Sequence, residues 1–201
     1  MLFDLDGTLV DSAAAILGSF HHATETVLRR RFPDERILAQ VGGSNLAHQM
    51  QLLDPDRVDE LVRVYREHND PQYADLACFD GMIDVLRSLR VEGRQLGIVS
   101  AKRRATVERV FAGTGIGDYF DVVVGSDDTV KHKPDPEPIL RALELLSAAP
   151  QEAAYVGDSP FDVAAGRAAD VFAVAVGWGG IHRVDDADAL VETPEELLGV
   201  L

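Results

Sequence analysis

The sequence is short of cysteine. Cys78 is the single one in 201 residues, so no disulfide can close within the chain and no thiolate cluster can hold a metal. Positive charge is scarce as well. Nineteen Lys and Arg stand against 34 Asp and Glu, a formal charge of −15 that repels nucleic acid and anionic lipid. No nucleic-acid partner is expected. Long apolar runs are missing too: none reaches the roughly 20 residues of a membrane span, and the N-terminus lacks the basic flank and long apolar stretch of a secretory signal. The expectation is a cytoplasmic, soluble protein without a membrane partner, as a monomer or homodimer. Repeats and low-complexity tracts are absent, and the six histidines are scattered. What is present is an apolar share of 46%, enough to fill a sizeable core.

That apolar content falls into five short segments that read as strands: 2–6, 95–100, 120–125, 153–158 and 171–177. Four are too uniformly apolar for burial on one side only, which is the pattern of parallel strands covered by helices on both faces. The segments between them carry helical stripes, Met82, Val85, Leu86 and Leu89 in one and Ile139, Leu140, Leu143 and Leu146 in another. Asp135-Pro136, Ser159-Pro160 and Thr193-Pro194 read as helix starts. From Asp11 to about Cys78 no strand is expected, only helices with the stripes Ile16, Phe20, Ala23, Val27 and Val58, Leu61, Val62, Tyr65. The fold class is therefore α/β: a Rossmann-like three-layer core with a five-stranded parallel sheet, residues 1–10 and 79–201, plus a small all-helical domain, 11–78, inserted after the first strand.

In an open parallel sheet ligands bind beyond the carboxyl ends of the strands. Three of those ends carry reactive groups: Asp4 and Asp6 at the first, Ser100 followed by Lys102 at the second, and Asp158 at the fourth, with Lys133 following the third strand. Asp4 and Asp6 lie two apart, so a strand projects both to one face, and the turn at Gly7 can redirect the second. Neighbouring carboxylates in a dry crevice repel each other and invite a divalent cation or a shared proton. With Asp158 the set is all oxygen, which suits Mg²⁺ better than zinc. Lys133 and Ser100 fit as phosphate-binding groups. Together they resemble a phosphoryl-transfer site.

The same residues resemble the haloacid dehalogenase superfamily. Its four motifs occur in order: Phe3-Asp4-Leu5-Asp6-Gly7-Thr8-Leu9-Val10-Asp11-Ser12, then Ile98-Val99-Ser100, then Lys133-Pro134, then Gly157-Asp158-Ser159 with Asp162. The resemblance implies that Asp4 attacks phosphorus and that Asp6 is the acid and base. It also implies that Ser100 and Lys133 hold phosphoryl oxygens. Mg²⁺ would then sit on Asp4, the backbone carbonyl of Asp6 and Asp158, with Asp162 supporting it from behind. An aspartate at position 6 separates phosphatases from the dehalogenating members, whose halide leaves without a proton. Among relatives with a helical cap the chain is similar to phosphoglycolate phosphatases and bacterial pyrophosphatases, and Tyr65-Arg66-Glu67-His68-Asn69 leans toward the latter. A sugar-phosphate mutase and a catalytically silent binding module are the alternatives. Only three residues precede Asp4, fewer than relatives usually have, and Asp170 stands where they often place glycine.

Several residues carry a plainer reading as well. Asp162 also completes a capping box with Ser159. Lys131 competes with Lys133, and Ser100 can be a turn hydroxyl. Gly42 and Gly43 resemble a cap loop that faces substrate, or form only a turn. Gly113, Gly115 and Gly117 read as a helix stop rather than a dinucleotide loop. His21 and His22 read as surface or packing residues, and Trp178 as a substrate contact or a loop anchor.

Overall fold

The computed structural model describes every residue except 181, 183 and 201. The chain enters on β1 (Leu2–Phe3) and leaves the sheet at once for α1 (Ala13–Leu28), α2 (Asp34–Leu38), α3 (Leu46–Leu53), α4 (Val58–Asn69) and a 3-10 turn, Asp70–Ala74. It then alternates through α5 (Met82–Val91), β2 (Gly97–Val99), α6 (Arg104–Thr114), β3 (Val122–Val124), α7 (Glu137–Leu146), β4 (Ala154–Gly157), α8 (Pro160–Ala168) and β5 (Phe172–Val176). It closes on β6 (Ala189–Val191) and α9 (Leu197–Val200).

The strands form one sheet in the order β3-β2-β1-β4-β5-β6, every neighbouring pair parallel. β1 is interior, with Leu2 opposite Gly97 and Tyr155, and Phe3 opposite Ile98 and Val156. Because successive residues point to opposite faces, Phe3 joins α5 and α6 on one side through Met82, Leu86, Val107 and Val110. Leu2 joins α7 and α8 on the other through Ile139, Leu143 and Ala165. Three layers result, as the apolar runs predict.

Among the described residues the sheet has six strands, where the sequence pattern predicts five. β6 is a three-residue edge strand whose Leu190 is exposed, and it follows the acidic stretch 185–188, so neither a two-sided apolar run nor an alternation marks it. β2 to β5 are shorter than predicted at both ends, and β1 at its carboxyl end. β1 stops at Phe3 because Asp4 still donates to Val156 O (2.8 Å) but the chain then turns, with the N–H groups of Leu9 and Val10 both reaching Leu5 O (2.9 and 3.1 Å).

The helices before residue 70 gather around their own apolar cluster, built from Ile16, Phe20, Ala23, Val27, Met50, Leu61, Val64 and Tyr65. The predicted stripe of α5 is fully buried. In α7 Leu140 is exposed and Ala142 takes the core position instead. Ser159 caps α8 in a capping box with Asp162, but the cap of α7 falls on Pro136 rather than Asp135, and Thr193-Pro194 opens a 3-10 turn before α9. Gly115, at φ 74°, ends α6, and Asp170 adopts φ 59° after α8, in the left-handed region that favours glycine. Gly113 is more than part of a helix stop: a Cβ there would lie 2.2 Å from Ala74 O, so only glycine lets the 3-10 turn seat on α6. The two segments leading into and out of the insert run side by side, Asp11 N donating to Ala77 O and Phe79 N to Leu9 O (3.1 Å each). No helix among the described residues is long and apolar enough to cross a membrane.

Candidate active site

The carboxyl ends of β1, β2 and β4 converge beside the loop that follows β3. Asp4, Asp158 and Asp162 each place a carboxylate oxygen within 4.8 Å of the others, and all three are buried. Lys133 stands among them, its Nζ 3.0 Å from Asp4 Oδ1 and 2.5 Å from Asp162 Oδ1, and it donates to Tyr155 OH at 3.0 Å. Lys131, the competing lysine, points to solvent and pairs with Asp135. Asp162 completes the predicted capping box and is engaged on its other oxygen as well. Its Oδ2 accepts from Ser159 N (3.0 Å) and Ser159 Oγ (2.5 Å) at the helix start, while Oδ1 accepts from Lys133 and Tyr155. Ser100 is buried at the end of β2, where its Oγ accepts from Lys102 N at 3.1 Å.

Asp6 leaves the strand direction at the turn. Its Oδ1 accepts a hydrogen bond from Tyr73 OH at 2.6 Å, and its Oδ2 faces Lys102 Nζ at 3.9 Å. Lys102, expected at this edge from its place after β2, faces Asp6, and Tyr73 and Tyr155 complete the arrangement without having been expected there. For Tyr155 the signal was a tyrosine inside the apolar run of β4, since a buried phenol needs a polar partner.

The electrostatics follow from burial. Removal from water pushes the Asp4 carboxyl up to about 7 despite Lys133, with Asp162 and Asp6 adding repulsion. Burial, then Asp162 and Asp4, drives Asp158 well above the carboxylate range. Burial disfavours the Lys133 charge, yet Asp162 and Asp4 outweigh it and raise the group above its ordinary value. Burial, followed by Asp6, pushes the Tyr73 hydroxyl far up, so it stays a donor. Four carboxylates (4, 6, 158 and 162) face two ammonium groups (102 and 133), an excess of two negative charges when all are ionised. Asp158 Oδ2 is buried and finds no hydrogen-bond partner among the described residues. Added Cβ atoms at Gly7 and Gly179 would come within 2.2 and 2.7 Å of that oxygen, so two glycines keep the space around it clear. An orphaned, all-oxygen site with that charge excess fits a hard dication.

A model of the family described as haloacid dehalogenase-like hydrolase matches residues 1–176. The chain belongs to that family. It is 37% identical over 179 residues to the pyrophosphatase PpaX of Bacillus cereus, covering 89% of this chain and 82% of that protein. A haloacid dehalogenase-like family hydrolase from Streptococcus pneumoniae superposes with a TM-score of 0.86 at 27% identity, covering 99% and 96% of the two chains. A protein provisionally assigned as a phosphoglycolate phosphatase, from Lactobacillus plantarum, superposes with a TM-score of 0.89 at 27% identity over 100% and 97%. The predicted class therefore stands: the chain is an enzyme, a hydrolase of phosphate esters.

The helical insert lies over this site. A cavity of about 30 Å³ is lined by Asp4, Asp6, Lys102 and Asp158 from the sheet side and by Ile16, Gly42 and Gln49, among others, from the insert. Gly42 (φ 90°) would put a Cβ 2.9 Å from Ser159 Cβ and Oγ, and one at Gly43 would lie 3.0 Å from the Phe161 ring. Their lack of side chains is what lets this loop rest on the start of α8. Trp178 donates to Thr8 O at 3.0 Å and packs against Phe79, a loop anchor that does not line this cavity. His21 is buried against Asp34 and His22 stacks on His68; neither lines the cavity.

A second cavity of about 200 Å³ shares Leu46, Ala101 and Lys102 with the first and adds Asn45, Arg66 and Arg103. Burial, then Arg103, holds the Arg66 guanidinium below its ordinary value, so like charges have been brought together beside open space.

Proposed function

We propose that the chain is a Mg²⁺-dependent phosphatase that works through an aspartyl phosphate on Asp4. The carrying observation is that Asp4 lies 3.0 Å from a buried ammonium and within 4.8 Å of two further buried carboxylates, at the wall of a cavity it shares with Asp6. Asp4 is the nucleophile. Asp6 protonates the leaving oxygen and then takes a proton from the water that attacks the phosphoaspartate, which divides one hard displacement into two easier ones. Lys133 and Ser100 bind the transferring phosphoryl oxygens, and Lys133 also tempers repulsion between Asp4 and an anionic substrate. The carboxylates of Asp4 and Asp158 and the backbone carbonyl of Asp6 would hold Mg²⁺, with Asp162 supporting it through its neighbours. When bound, the ion supplies charge neutralisation at the phosphoryl group.

Residues 11–78 form a cap in this reading, with hinges at Val10 to Ser12 and Cys78 to Gly81, and Gly42 belongs to its substrate-facing loop. Closure excludes water and sets the leaving group in place. Gly43 then serves the fit of the loop on α8 rather than substrate contact.

The substrate is a small phosphorylated compound. Phosphoglycolate is the first reading, supported by the likeness to the Lactobacillus plantarum structure. Pyrophosphate is the second, favoured by the relatives named pyrophosphatase and by Arg66 and Arg103 beside the cavity. A panel of phosphoglycolate, pyrophosphate, glycerol phosphate and hexose phosphates, assayed with Mg²⁺ and with EDTA, tests this. The expected result is Mg²⁺-dependent release of phosphate, with an anionic leaving group turned over at least about tenfold faster than a neutral one. Isomerisation of a hexose phosphate with poor turnover of both anionic compounds overturns the substrate assignment.

A further inference from the structure

Tyr73 lies in the segment that ends the helical insert, yet its ring belongs to the apolar cluster of the sheet, with Phe3, Leu9, Val107 and Val110. It is fully buried. Two features fix the 3-10 turn that carries it. Gly113 of α6 admits the backbone of Ala74 at a distance no Cβ would permit, and Arg103 pairs with Asp70 at 3.4 Å. The hydroxyl is thereby delivered to Asp6 Oδ1 at 2.6 Å, while Lys102 Nζ stands 5.2 Å above the Tyr73 ring and 3.9 Å from Asp6 Oδ2. One carboxylate oxygen is pinned from behind. The other is left toward the ammonium that, like Asp6, lines the cavity.

We infer that Tyr73 is a positioning residue: it fixes the orientation of the Asp6 carboxyl so that its second oxygen meets the leaving oxygen of the substrate. The inference rests on Asp6 being the proton donor. A buried phenol needs an acceptor whether or not the reaction depends on it, so the test must separate catalysis from satisfaction of the hydroxyl. The dependence of kcat/KM on leaving-group basicity does so, because a general acid matters most when the departing oxygen is a strong base.

Tyr73→Phe keeps the ring in the core and removes only the hydroxyl. A series of aryl phosphates from dinitrophenyl to unsubstituted phenyl is assayed with Mg²⁺ for the wild type, Tyr73→Phe, Asp6→Ala and the double variant. The expected result is that Tyr73→Phe loses about 10-fold to 100-fold on phenyl phosphate, a misplacement-sized effect, and changes little on the dinitrophenyl ester. Asp6→Ala should show a steeper dependence in the same direction, and adding Tyr73→Phe to it should cost nothing further. A uniform loss across the series, no loss, or an undiminished loss in the Asp6→Ala background overturns the part given to Tyr73 while leaving Asp6 as the acid. A flat series for Asp6→Ala would instead remove the proton-donor reading, and the inference with it.

Discussion

Asp4→Asn is expected to abolish turnover and leave the fold intact. The loss should be about 10⁴-fold to 10⁶-fold in kcat, the scale on which removing a member of a covalent catalytic unit acts in other hydrolases. Its effect on stability has the opposite sign. The Asp4 carboxyl is pushed up to about 7 from its ordinary 3.8, because burial and two neighbouring carboxylates outweigh Lys133. An acid raised on folding favours the folded state while protonated, so that contribution is present below 3.8 and is lost as pH rises through about 7. The metal-free wild type should therefore lose melting temperature between pH of about 5 and about 8 by this linkage. Asp4→Asn should lose less over that window and melt at or above the wild type at the upper end, the usual direction when a strained active site is relaxed. Thermal unfolding in EDTA across that range, beside phosphate-release assays with Mg²⁺, checks both halves. Substantial activity, or a variant less stable than the wild type at the upper pH, would contradict the account.

Lys133→Met is expected to cost both stability and rate. The ammonium is 2% exposed and bridges Asp4 and Asp162, which are comparably buried, so a methionine of similar length leaves two carboxylates without their cation. Breaking a buried pair on one side costs about 3–5 kcal/mol, mostly through the charge left behind. Urea unfolding in EDTA near neutral pH should show a loss of that order, easing at low pH where a carboxyl can take a proton instead. With Mg²⁺, kcat/KM should fall about 10²-fold to 10³-fold, as when a preorganised charge facing a developing anion is removed. Lys131→Met is the control: its partner Asp135 and its own side chain lie at the surface, and neither readout should move. Similar losses in the two variants would show that proximity in sequence, not burial at Asp4, sets the effect.

What could be read from the residues, and what could not, has a physical pattern. β2, β4 and β5 were visible because strands buried on both faces are written as apolar runs. β6 was not, since three edge residues with one side in water have no such signature. Asp4 and Asp158 were visible because a carboxylate ending an apolar strand is out of place unless it is used. The dual attachment of Asp162 was half-visible: its spacing from Ser159 announced the cap, but the bond to Lys133 joins segments 29 residues apart. Tyr73 and Arg103 were invisible for the same reason, because a tyrosine 67 residues from Asp6 reaches it only after the insert has folded and its last turn has docked on Gly113.

The central claim is that Asp4 accepts the phosphoryl group, and chemical trapping tests it most directly. Enzyme turning over a good substrate with Mg²⁺ is quenched in acid and reduced with borohydride, which converts an aspartyl phosphate to homoserine, and the peptides are then mapped by mass spectrometry. The account predicts homoserine at position 4, dependent on Mg²⁺ and absent from Asp4→Asn. Homoserine at position 6 or 158, or none at any aspartate under conditions where the acyl phosphate demonstrably accumulates in a related phosphatase, would contradict it.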